Sequence, residues 1–378
     1  MLLKSAGKRL IFGDTFRTPW ARVLTDLDKA VPPSGEASVS ATPRPGLRVA
    51  PLLALASRLR ACGVDPAQAF AEAGLGAMVP TDPEQSVPYR EATGLFAVCV
   101  RLSGEQDFSL RAGMSLGLAA LGLPGELARH SPTVGDALRV LSTHFRLHDH
   151  GGSVVLDVRG GIASLMYVVH EPEAQALDQV SDFALAIACG FMRDLCGADW
   201  RPSLVRFSHR EPANRAPYRD LFGSRLEFDS PADGLLFAAS WLALPISDAD
   251  PQRLDDLSDR AAGLARDDRI SWVQRLRATL RAGLAIRECS IEQVSAVIGI
   301  HRRTLERRLR EERTTFSEQL DAVRHGVAIQ LLENTRLPMT EIADALDFAD
   351  PAVFSRAFRR WRGMAPSAWR AQRAAART

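Results

Sequence analysis

The rhythm of apolar and polar positions divides the chain into three stretches. Residues 1 to about 47 mix charges, Pro and Ser without a sustained period, and "VPPSGEASVSATPRPG" reads as a disordered joint. Phe16 and Trp20 are the side chains there that could dock a short helix. From Val49 the period becomes helical. Leu52, Leu53, Leu55, Leu59 and Cys62 fall along one side of a helix that Gly63 closes. Similar patterns predict helices over about 88–103, 108–117, 124–129, 133–146 and 174–196. Between the last two, Ser153 to Val169 is two β-rich runs joined by Gly160-Gly161, a hairpin signal. Short strand-like runs follow at Leu204–Ser208, Leu226–Phe228 and Gly234–Ala238, and this α+β region ends near Leu244. The acidic stretch Pro245 to Asp256 reads as a joint, and everything after it is helical.

The third stretch repeats itself. Val294, Val297, Ile298 and Ile300 match Ile342, Ala345, Leu346 and Phe348 at a shift of 48. One extra turn residue later, Leu305, Arg307 and Leu309 match Phe354, Arg356 and Phe358 at a shift of 49. Each copy holds a short apolar helix, a turn of three or four residues, and a second helix burying one i, i+4 pair under exposed Arg. A helix-turn-helix needs this division, because its first helix packs while its second lies in the major groove. Ser290 with Gln293 forms a capping box for the first copy, and Thr340 is the expected cap of the second. Helix N-termini there would aim N–H groups at phosphates. Between the copies, Phe316 to Thr335 is a helix of 20 residues, about 30 Å long at about 1.5 Å per residue. Neighbouring major-groove faces lie about 34 Å apart, so one chain can present both reading helices to one side of a duplex.

Charge sharpens this picture. Ile270 to Thr378 carries 19 Arg, no Lys and 12 acidic residues, a net +7, while the remainder holds 28 basic and 33 acidic residues, a net −5. Only the C-terminal part is built to meet a polyanion. Guanidinium suits guanine edges and phosphate alike. Leu305 and Leu309 face the core, so Arg302, Arg303, Glu306, Arg307 and Arg310 point outward. In the second copy Phe354, Phe358 and Trp361 pack inside, leaving Ala352, Ser355, Arg356 and Arg359 on the groove-facing stripe.

At "IADALDFADPAVFSRAFRRWRGMAPSAWR" (Ile342 to Arg370) and "LDAVRHGVAIQLL" (Leu320 to Leu332) the chain resembles the AraC/XylS family of transcription regulators. It departs from the family at Asp347, where Gly is usual in the turn, at Ala352, where a small hydroxyl often opens the reading helix, and at Ala365, where Thr commonly precedes Pro. Asp tolerates positive φ better than most residues, so the turn survives. The resemblance implies that Arg303, Glu306 and Arg307 read base edges, with Arg302 and Arg310 on phosphates. Upstream, "ACGVDPAQAFAEAGL", "SPTVGDALRVLSTHFRL" and "LVRFSHREPANRAPYRDLFGSRLEFDSPADGLLF" resemble the arabinose-binding-type effector domain of one branch of that family. The sugar in that label says nothing of this chain's own ligand.

The expected fold is thus an α+β effector domain (helices plus a small antiparallel sheet) followed by an all-α domain with two helix-turn-helix units joined by a long linker helix. The expected divisions are an extension, 1–47, an effector and dimerisation domain, 48–244, a linker, 245–260, and a DNA-binding domain, 261–378. No catalytic constellation stands out: no Gly-x-Ser-x-Gly elbow, phosphate-binding loop or dinucleotide fingerprint is present. His144, His148 and His150 with Asp149 lack a partner cluster at ligand spacing, and His209 with Glu211 lies in a packing segment. Five scattered Cys, without Cys-x-x-Cys, read as free thiols of a reducing compartment. The leading function is a cytoplasmic, ligand-modulated transcription regulator. A ligand-free dimerisation or protein-interaction module on a DNA-binding tail comes second, and an enzyme fused to that tail third. The expected partners are double-stranded promoter DNA, a small-molecule effector whose contact residues the sequence does not name, RNA polymerase and a second copy of the chain. No membrane, cofactor or metal is expected.

Overall fold

A computed structural model describes residues 46–267 and 271–375. The expected extension, with Phe16 and Trp20, lies almost wholly outside the described residues. Two large hydrophobic cores divide the rest, one drawing on Leu47 to Ile246 and one on Leu276 to Trp369.

The first core begins at a short strand, β1 (Gly46–Arg48), followed by α1 (Val49–Ala61) and α2 (Pro66–Glu72). Asp65 caps α2 by accepting from the Ala67 amide, and Pro66 opens it. A second strand, β2 (Ser86–Pro88), pairs antiparallel with β1. The helices α3 (Tyr89–Ser103), α4 (Phe108–Gly113), α5 (Leu123–Arg129) and α6 (Val134–His144) follow the apolar period closely. Helix α4 stops four residues before the expected 117. The chain there swings into a 3-10 turn (Leu118–Leu121) whose Leu118 amide donates to Asp194 at 2.8 Å. The small pair β1–β2, helix α2 and the later α8 were not expected, being too short for any period to register.

The hairpin forms where the sequence placed it. Strands β3 (Gly152–Arg159) and β4 (Ile162–Val169) pair from Gly152↔Val169 to Arg159↔Ile162. Gly160 and Gly161 close them at φ +56° and +80°, the left-handed conformation a two-residue turn of this type demands. Helix α7 (Leu177–Cys196), strand β5 (Leu204–Arg206), helix α8 (Ala216–Phe222) and strands β6 (Arg225–Glu227) and β7 (Asp233–Ala238) complete the unit. The sheet order is β3-β4-β7-β5-β6, antiparallel except for the pair β5–β6.

Strand alternation sends Val154, Leu165, Leu235 and Phe237 into the first core. Their neighbours Val155, Met166 and Val168 face the other way and pack on Ala282, Ala285 and Ile286. Those last three belong to α10 (Trp272–Ile286), the opening helix of the second core. The preceding helix, α9 (Pro251–Asp267), starts inside the span expected to be a linker. Leu254, Leu257 and Ala261 recur at helical spacing and pack against Leu127 of α5, which draws that segment onto the first core.

Polar contacts strengthen the junction. Arg159 of β3 donates to the Ile286 carbonyl, Arg210 to the Glu333 carbonyl at 3.2 Å, and the Arg336 amide to Asp229 at 2.6 Å. Arg281 of α10 lies against this seam and bonds Gln330. Burial pulls its guanidinium down to about 10, with Asp233 opposing. Beside it runs a buried network. Asp233 accepts from Ser181 at 2.7 Å and from the Ser208 hydroxyl and amide at 2.6 and 2.7 Å. Asp182 accepts from Tyr218 at 2.6 Å and pairs with His209 at 3.1 Å.

Burial alone would lower the His209 pKa, but the carboxylates of Asp182 and Asp233 outweigh it and push the ring up to about 9. A group raised on folding stabilises the native state fully below its unfolded value of about 6.5 and loses that contribution as pH climbs through its folded value. Urea unfolding should therefore show wild-type stability falling between about pH 6.5 and about 9, and His209→Gln should flatten that window. Equal slopes for the two proteins would show that His209 does not hold its proton in the folded state.

Candidate DNA interface and effector pocket

In the first unit, α11 (Ile291–Ile298) carries the expected capping box: the Gln293 amide donates to Ser290 Oγ at 3.2 Å, and the Ser290 amide to Gln293 Oε1 at 3.0 Å. Gly299, at φ +80°, ends that helix and frees the chain to turn into α12 (Arg302–Glu311). Leu305 and Leu309 are fully buried, as the i, i+4 spacing requires. Arg302, Arg303, Arg307 and Arg310 are exposed and Glu306 is half-exposed. Arg308 turns back instead, with its guanidinium 3.9 Å from the Trp272 ring centroid.

The second unit is built differently at its starts. The first residue before α14 (Met339–Ala345) is Pro338, so Thr340 lies inside the helix and does not cap it. Pro lacks an N–H and carries its own helical φ, so it can begin a helix without a side-chain cap. In the turn, Asp347 sits at φ +56°, the conformation expected of the Gly it replaces. Its carbonyl and that of Leu346 accept from Arg324 at 2.8 Å each, which ties the turn to the long helix α13 (Phe316–Asn334). Asp350 then caps α15 (Pro351–Arg362) through the Ala352 amide. Phe354 and Phe358 are fully buried, and Ala352, Arg356 and Arg359 are exposed beside a half-exposed Ser355. A last helix, α16 (Pro366–Ala375), clamps the unit, since Arg370 donates to the Leu337 carbonyl at 2.7 Å.

The arginines differ in how they are held. Arg302 is gripped by Glu292 and Glu306, both at 2.8 Å, and Arg307 lies 3.8 Å from Glu311. Among the described residues, no carboxylate pairs with Arg303, Arg310, Arg356 or Arg359. Val353, which sequence reasoning did not single out, is 38% exposed on α15. An exposed apolar residue on an otherwise charged helix was the available signal.

The first core holds a cavity of about 60 Å³, partly open to solvent and bounded by α3, α7 and the inner face of β3–β4. Its body is apolar, with Phe96, Phe183, Phe191, Leu165 and Ile187 on its wall. Tyr89, Tyr167, His148 and Asp149 gather on it as polar groups. Asp149 Oδ1 accepts from the Gly151 and Gly152 amides at 2.8 Å each, and Oδ2 accepts from Tyr167 at 2.7 Å. The Tyr167 and Tyr89 hydroxyls are 3.0 Å apart. Burial pushes the Asp149 carboxyl up, and burial together with Arg48 brings His148 down to about 3, a neutral ring. His148 and Asp149 belong to the motif weighed above for metal. The structure brings them together with two tyrosines from distant elements. His209 and Glu211 separate, His209 to Asp182 and Glu211 to Arg215 at 3.2 Å.

Residues 63–246 match the arabinose-binding domain of AraC transcription regulators, and residues 294–372 match a helix-turn-helix domain. The chain is an AraC-type transcription regulator. It is 29% identical over 271 residues to the ornithine utilization regulator of Pseudomonas aeruginosa, covering 71% of this chain and 80% of that protein. It is 28% identical over 271 residues to the helix-turn-helix regulator VirS of Mycobacterium tuberculosis, covering 70% and 78%. The crystal structure of the transcriptional regulator CdpR from P. aeruginosa is 20% identical, with a TM-score of 0.43 over 89% of this chain and 99% of that one. No helix among the described residues of this AraC-type regulator is long and apolar enough to cross a membrane.

Two substitutions separate reading from scaffolding in this AraC-type regulator. Arg356→Ala should leave the melting temperature unchanged and cost about 1–3 kcal/mol on a selected operator, relaxing preference at one base pair. Leu309→Ala should cost about 2–5 kcal/mol of folding stability, with DNA binding lost alongside it. Fluorescence anisotropy on operator and scrambled duplexes, with parallel melts, checks both; equal loss on both duplexes moves Arg356 to the phosphates.

Proposed function

We propose that this regulator is gated by a small molecule in the cavity of the first core, which biases how the two C-terminal units meet promoter DNA. The observation that carries the reading is the shared sheet. Val154 and Leu165 line the cavity, Val155 and Val168 of the same strands seat α10, and Met166 touches both. A ligand that moves the hairpin moves the floor of the reader. A second route runs along α7, where Val180 and Phe183 touch the cavity and Ser181 and Asp182 enter the network beside Arg281.

Residues 48–244 form the sensing and dimerising part, 245–260 the joint, and 261–378 the DNA-binding part. Arg303, Glu306 and Arg307 read one groove, and Ala352, Ser355, Arg356 and Arg359 the next, with Arg302 and Arg310 on phosphates. Val353 suits a thymine methyl. The protein acts in the cytoplasm as a homodimer that meets RNA polymerase at the promoter, and no reaction is assigned to it. A mostly apolar cavity with a few convergent polar groups favours this reading over a ligand-free interaction module.

Effector gating requires different affinities for two global states, and couplings of about 1–3 kcal/mol, or about 5–150-fold, are usual. Ala188 lies on the cavity wall, so Ala188→Phe imitates occupancy. With an operator obtained by selecting bound genomic fragments, this variant should shift operator Kd at least about fivefold while its circular dichroism stays native. A folded variant with unchanged Kd would remove the gating.

A further inference from the structure

We infer that the cavity takes an uncharged, mainly apolar molecule bearing one hydroxyl-type group, anchored where Tyr89, Tyr167, Asp149 and His148 converge. The inference concerns the ligand of the gating site just described, and its regulatory consequence rests on that reading.

Proton counting at the polar end leads to this. Tyr167 spends its only proton on Asp149 at 2.7 Å, so at 3.0 Å its oxygen accepts from Tyr89. The Tyr89 proton is then spent too, and Tyr89 offers an incoming molecule only a lone pair. Both Asp149 oxygens are already engaged, one by two backbone amides. Thr93 is likewise satisfied, donating to the Tyr89 carbonyl at 2.9 Å and accepting from the Gln175 amide at 3.0 Å. His148 is different. The residue is 5% exposed, and its Nδ1 has no hydrogen-bond partner. A buried polar atom left without a partner is rare in a native protein and calls for one. A hydroxyl donates its one proton to the Tyr89 lone pair and accepts from His148 in the tautomer that carries the proton on Nδ1.

Other chemistries fit worse. A carboxylate would face Asp149, and no cation lines the cavity. The nearby Arg48 guanidinium does not line the cavity; its two terminal nitrogens are held by Glu84 and by the Ala120 carbonyl at 3.4 Å, and its Nε has no partner. An ammonium would share Asp149 Oδ2 with Tyr167, and its remaining N–H groups would face a wall of Phe, Leu and Ile with nothing to accept them. A sugar carries a hydroxyl on nearly every carbon, and a wall of Phe, Leu and Ile would strand most of them.

The test uses the full-length chain without DNA, with the neutral dye N-phenyl-1-naphthylamine as fluorescent reporter and displacement near neutral pH. The dye should bind saturably. 1-Decanol should displace it at concentrations at least about tenfold below decanoate or decylammonium, and L-arabinose should not displace it. Tyr89→Phe should weaken 1-decanol about tenfold relative to methyl decyl ether, which has no proton to donate. Folded Ala188→Phe should lose the dye. Decanoate, decylammonium or arabinose competing as well as 1-decanol would overturn the inference, as would dye binding that survives Ala188→Phe or a Tyr89→Phe variant with unchanged selectivity. If 1-decanol binds as expected but operator affinity ignores it, the ligand class stands and the gating falls. If Ala188→Phe shifts operator affinity while decanoate binds best, the ligand class falls alone.

Discussion

The alternation of side chains along β3 and β4 is the constraint on which the rest depends. A strand has two faces, and in this hairpin both are occupied: one completes the wall of a cavity, the other the seat of a helix that opens the DNA-binding core. A slip of β3 by one residue on β4 would turn its side chains over, placing Val155 in the cavity and Val154 against α10. The two glycines of the turn are what prevent it, since the left-handed conformation of both sets the loop length and hence the pairing. Sensor and reader are therefore not two beads on a string. They share a partition one sheet thick.

Behind that partition lies a buried polar frame. Burying Asp182 and Asp233 is tolerable because each has several donors: Tyr218 and His209 for one, Ser181 and Ser208 for the other. These donors come from α7, α8 and the segment after β5, so the frame fixes the position of α7 against the far edge of the sheet. Replacing such a frame by apolar residues can be neutral for stability, whereas removing one partner is costly. What the frame contributes most clearly is orientation. Ser181 and Asp182 can face it only if Val180 and Phe183 face the cavity.

Much of this was legible in the sequence, and the boundary has a physical origin. Periodic features within one segment were readable: the hairpin from alternation and Gly-Gly, the buried pairs Leu305–Leu309 and Phe354–Phe358 from i, i+4 spacing, the first capping box from Ser290 and Gln293. Asp347 in the left-handed region was foreseeable from its side chain alone. Thr340 misled because a capping residue type stood two positions beyond a proline that starts the helix unaided. The cavity could not be read at all. Tyr89, Asp149 and Tyr167 come from three elements, and nothing in their spacing says that a helix start, a loop and a strand converge. The triple-histidine motif was visible, but its meaning depended on those distant tyrosines. The five expected strand-like runs form one five-stranded sheet, but its parallel pair was not legible, because β6 reaches β5 through α8, a crossover too short to leave a pattern.

The grip of Glu292 and Glu306 on Arg302 has a consequence for the free protein. Exposed ion pairs of this kind add little to stability. They do neutralise a guanidinium at rest, so a passing polyanion of arbitrary sequence meets a helix whose first cation is already answered. On the proposed reading, a phosphate that recruits Arg302 must outbid two carboxylates at once, which favours a duplex that has engaged the neighbouring side chains in register. On that reading the two glutamates act as a filter against promiscuous adhesion.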